Sequence, residues 1–173
     1  YPPSPPNLAA PKDLFEEVVQ HDPSFAGGHA GLAFVNAFWL VNNFDATPIA
    51  FGRGPNLTRA AKVTVAANAA NTALKIDPRA TTAMHALAYG RVMDQKFDEA
   101  VELAQRAYDA QPGDAFMAGT LGIFLTYAGR PQEAIPVLAS AEVVQLLDKY
   151  GVLTPRETQS RHDIYFEQYC KSV

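Results

Sequence analysis

The hydrophobic and polar positions from Arg79 to Pro112 recur every three to four residues, with one break in the middle, and so predict a pair of helices. Met84, Leu87 and Ala88 share a face of the first helix, and Phe97 sits at the turn. Ala100, Ala104 and Ala107 share a face of the second, and Pro112 closes the unit. The pattern is found again farther along at one constant offset: Leu121 stands for Leu87, Gly122 for Ala88, Ala134 for Ala100 and Ala141 for Ala107. A fixed period of about 34 residues marks a helical repeat. Small residues at the crossing points let two helices approach to the short end of the usual range of about 8–10 Å between axes. One pair cannot bury its own apolar stripes, so each must stack on a neighbour.

The same periodicity places the other elements. Leu14, Phe15, Val18 and Val19 predict a helix over Lys12 to Gln20, stopped by Asp22 and Pro23. A second helix is predicted over Ala26 to Leu40. Gly27, Gly28 and Gly31 in it each cost about 1 kcal/mol relative to alanine, so packing has to hold it. Pro23 and Pro78, which close successive units, lie farther apart than one period, and the excess predicts an insertion between the two helices of that repeat. The insertion is placed at 41–58, where Asn42, Asn43, Asp45, Pro48, Gly52, Gly54 and Pro55 are turn formers. A loop this long in a compact domain is usually functional or disordered.

After it, a helix is predicted over Thr58 to Leu74, capped by Thr58, with Ala66, Ala70 and Ala73 in the roles of Ala100, Ala104 and Ala107. A further pair spans Ala115 to Leu147, turns at Gly129, Arg130 and Pro131, and is predicted to run on to Lys149. Thr154, Pro155, Arg156 and Glu157 form a capping box with proline at the first helical position. They predict a last helix over Pro155 to Tyr169, whose Ile164, Tyr165, Phe166 and Tyr169 cap the stack. The organisation read from this is a linker at 1–11, from the proline-rich start, helix pairs with the insertion over 12–150, and a capping helix with tail over 151–173.

Composition adds limits. With 48% hydrophobic and 18% charged residues, the 173-residue chain has the apolar material for one packed all-α domain. A net charge of -4, without a run of like charges, argues against nucleic acid, whose binding needs a basic stripe. The single cysteine, Cys170, cannot form an internal disulfide and suits a reducing compartment. No apolar run reaches the length of about 18 residues that a membrane-spanning helix needs, so the chain is expected to be cytoplasmic and not bound to a membrane.

In the segments Leu14 to Leu32, Ala70 to Pro78 and Lys96 to Pro112, the chain resembles a tetratricopeptide-repeat domain over nearly its full length. The enlarged repeat followed by Ala73 to Pro78 is similar to repeat regions attached to bacterial adenylate cyclases and related signalling regulators. The resemblance implies an all-α solenoid of antiparallel helix pairs whose concave face, lined by first helices, binds a partner. On that face it places Phe34, Phe38, His85, Tyr89, Met93, Phe116, Ile123 and Tyr127. The Lys, Arg and Asn clamp with which some family members grip acidic tails is missing.

Chemical motifs are thin. His21, His29, His85 and His162 are isolated in sequence and show no paired metal-ligand spacing, so no metal is expected. Gly52 to Asn56, with Arg59 and Lys62 nearby, lacks the spacing of a phosphate-binding loop. No nucleophile motif occurs, so neither enzyme activity nor a cofactor is expected. The function read from the sequence is a non-catalytic module that holds a protein or peptide segment in an apolar groove. The alternative is a sensory or regulatory domain of a larger bacterial signalling protein, binding a small molecule or mediating dimerisation. A homo-oligomer is compatible with both.

Overall fold

The structure, a computed structural model, describes residues 5–42, 44 and 57–139. Among them the regular elements are all α-helical: α1 (Pro5–His21), α2 (Ala26–Val41), α3 (Arg59–Ile76), α4 (Thr81–Met93), α5 (Phe97–Ala110), α6 (Ala115–Tyr127) and α7 (Pro131–Leu138). The all-α expectation therefore holds for the described residues. Most of the insertion, from 45 to 56, the run-on to Lys149 and the last helix over 155–169 lie outside them.

Helix α1 begins at Pro5, where the periodicity puts the start at Lys12 and reads the preceding prolines as extended linker. Prolines fit a first turn because its N–H groups have no intrahelical acceptor to lose. Pro11, farther in, removes one backbone bond. Helix α3 opens as expected, with Thr58 Oγ1 accepting from the Ala61 N–H at 3.2 Å, and runs on to Ile76.

The chain divides into two compact units, Tyr1–Ala110 and Gln111–Val173. In the first, α2 packs on α1, α3 and α4, and α4 packs on α5. Its centre is built from alanines of three helices, among them Ala33, Ala37, Ala70, Ala73, Ala83 and Ala86. Side chains this small bring helix backbones close together. Beside it, Leu8, Val35 and Trp39 are buried against Phe15, Phe34, Phe38 and Phe44. The glycines of α2 have a use there: a Cβ on Gly31 would collide with the Phe15 ring and one on Gly28 with Val18. The propensity they sacrifice is thus offset by the approach of α1.

In the second unit, α6 packs on α7, and Gly122 is the point of contact, since a Cβ there would run into Leu138. The sequence period survives in three dimensions: α6 begins and ends one period after α4, and α7 begins one period after α5. Even the turns repeat. After α4, the Lys96 N–H donates to Arg91 O at 2.9 Å and the Gln95 N–H to Val92 O at 3.0 Å. After α6, Arg130 donates to Leu125 O at 2.8 Å and Gly129 to Thr126 O at 3.1 Å. Each is a Schellman ending with one residue in the left-handed region, Gln95 at φ 60° and Gly129 at φ 72°.

Candidate functional site

Helical spacing puts Phe34 and Phe38 on one face of α2, and His85, Tyr89 and Met93 on one face of α4. Packing of α2 on α4 brings four of these rings together. Phe34 and Phe38 lie 5.4 Å apart, Phe34 and His85 5.9 Å, and Phe38 meets Tyr89 edge-on at 5.9 Å. His85 is stacked on Tyr89 at 4.9 Å, with the ring planes 20° apart. Such pairs each contribute about 0.5–1.5 kcal/mol beyond the area they bury. Met93 is half-buried beyond them, its Sδ 3.8 Å from an Arg59 guanidinium nitrogen that also donates to Leu40 O at 3.3 Å.

Sequence analysis puts His85 on a binding face, whereas the structure buries it to 1% exposure inside this cluster. Phe34, Phe38 and Tyr89 are half-buried around it. The apolar, aromatic neighbours that α2 supplies turn this position into core. The other three predicted residues lie on α6 in the second unit and are open to solvent: Phe116 at 41%, Ile123 at 48% and Tyr127 at 57%. They share one stripe of that helix, with Gly119 between the first two.

Buried polar side chains include Asn36 and Lys12, which sequence reasoning does not single out as site candidates, and Lys62, which it names only beside the segment Gly52 to Asn56. Asn36, fully buried in α2, donates from Nδ2 to Leu32 O at 2.8 Å. Lys62 is 3% exposed, with its ammonium 5.8 Å from the centre of the Trp39 ring, a cation over an aromatic face. Lys12, also buried, pairs with Glu16 at 2.8 Å. Asn36 is the one polar residue in the otherwise apolar run from Gly31 to Val41, a signal visible in the sequence. The Lys62 pairing joins two different helices across the insertion and has no such signal. Among the described residues, no three His, Cys, Asp or Glu side chains come close enough to hold a metal ion, and no helix is long and apolar enough to cross a membrane.

Comparison with known families changes the functional reading. Residues 125–173 match the family model of the glutamine synthetase C-terminal domain. This is a different family from the tetratricopeptide repeats, and no tetratricopeptide model matches. The resemblance to tetratricopeptide repeats and to the repeat regions of adenylate cyclases is corrected accordingly. So are the reading as an interaction or sensory module of that family and the expectation that the chain is not an enzyme, since the match points to an enzyme-related family. The repeated helix pairs remain as a structural fact, because close packing of helix pairs imposes the same small-residue spacing on any chain that adopts it. No curated protein matches the chain. The C-terminal part of this chain is thus similar to a domain of an enzyme family.

Proposed function

We propose that this chain is part of a glutamine synthetase-related protein and that its C-terminal region, residues 125–173, carries the relationship. The observation behind the reading is the family match over those residues, which begins in the last turn of α6 and runs through α7 to the end of the sequence given. Within this reading the rings of Phe34, Phe38, His85 and Tyr89, with Met93, are structural, fastening α2 to α4, and Phe116, Ile123 and Tyr127 form a contact surface.

Glutamine differs from glutamate by a side-chain amide, and a carboxylate is too poor an electrophile to take up ammonia without prior activation. The natural full-length protein, given glutamate, isotopically labelled ammonium and a nucleoside triphosphate with magnesium, is expected to place the label in the glutamine side-chain amide. Deletion of 125–173 is expected to abolish this. No labelled glutamine from the full-length protein, or labelling unaffected by the deletion, overturns the proposal.

A further inference from the structure

We draw no further inference here: the strongest candidate, the fully buried Asn36 of α2, whose Oδ1 has no hydrogen-bond partner among the described residues while its Nδ2 donates to Leu32 O, is a single acceptor, and nothing in the structure shows which donor would meet it.

Discussion

The helical hairpins α4–α5 and α6–α7 share a repeat frame and a turn type, yet differ in four places that show what the frame leaves undecided. At the entrance, Asp114 caps α6, accepting from the N–H groups of Phe116 and Met117, while the matching Ala80 gives α4 no side-chain cap. In the core, Leu121 is fully buried, whereas its counterpart Leu87 is half-buried at the edge of the alanine cluster. At the turn, glycine holds the left-handed position in one and glutamine in the other. Beyond the turn, Arg130 grips Glu133 with two bonds of 2.7 Å, where Lys96 reaches Glu99 at 3.3 Å. The period fixes where helices start and stop, and each position is then free to be filled well or poorly.

These differences can be tested one against another. The largest effect is expected in the core: Leu121→Ala should cost about 2–4 kcal/mol and Leu87→Ala distinctly less, since a cavity in a closed site cannot refill. Urea midpoints measure both, and equal losses would mean that the two leucines are equally enclosed. At the entrances, Asp114→Ala should cost about 1 kcal/mol and Ala80→Asp should gain about 0.5 kcal/mol, by supplying the acceptor that α4 lacks. At the turns, Gln95→Gly should stabilise by about 0.5–1 kcal/mol, because a side chain strains the left-handed region, whereas Gly129→Ala should cost about 1 kcal/mol. Thermal melts of the two variants should move in opposite directions.

The smallest effect concerns Glu133. Its side-chain bonds to Arg130, aided by the attraction of the guanidinium, hold the carboxyl below its ordinary value of 4.5. A folded value lowered in this way gives stability that is present above about pH 4.5 and is lost as the pH falls through the folded value. Arg130→Lys replaces two parallel bonds by a single point charge. It should let the Glu133 titration midpoint rise toward 4.5, read from its carboxyl carbon by NMR, with little change in stability because the pair is exposed.

Much of the described fold was legible in the sequence. The helix pairs from Thr81 to Leu138, the cap at Thr58, Pro131 at a helix start and Gly122 at a crossing all follow from local rules: spacing of apolar residues, hydroxyl capping and the fixed φ of proline. The start of α1 was not, because prolines in a first helical turn and prolines in an extended linker look alike until packing against α2 decides between them. Of the eight predicted site residues, His85 illustrates the limit. Its place on the face shared with Tyr89 is a matter of helical phase, but whether that face meets water depends on Phe34 and Phe38, which stand two helices earlier in the chain. The family resemblance failed for a related reason. Small residues at a fixed period report the geometry of helix pairs, which is not the property of one family, and the family match, over 125–173, includes α7 of the same repeat.

The sequence by itself determined the helices, their period and the residues at which they cross, because these depend on interactions within a few turns of one chain. Burial was decided only by the tertiary structure. One frame of α4 and α6 gives a histidine closed in by aromatic rings at position 85 and an isoleucine open to solvent at position 123. The physical reason is that exposure belongs to a pair of surfaces, and the second surface is supplied by another element that local spacing does not specify.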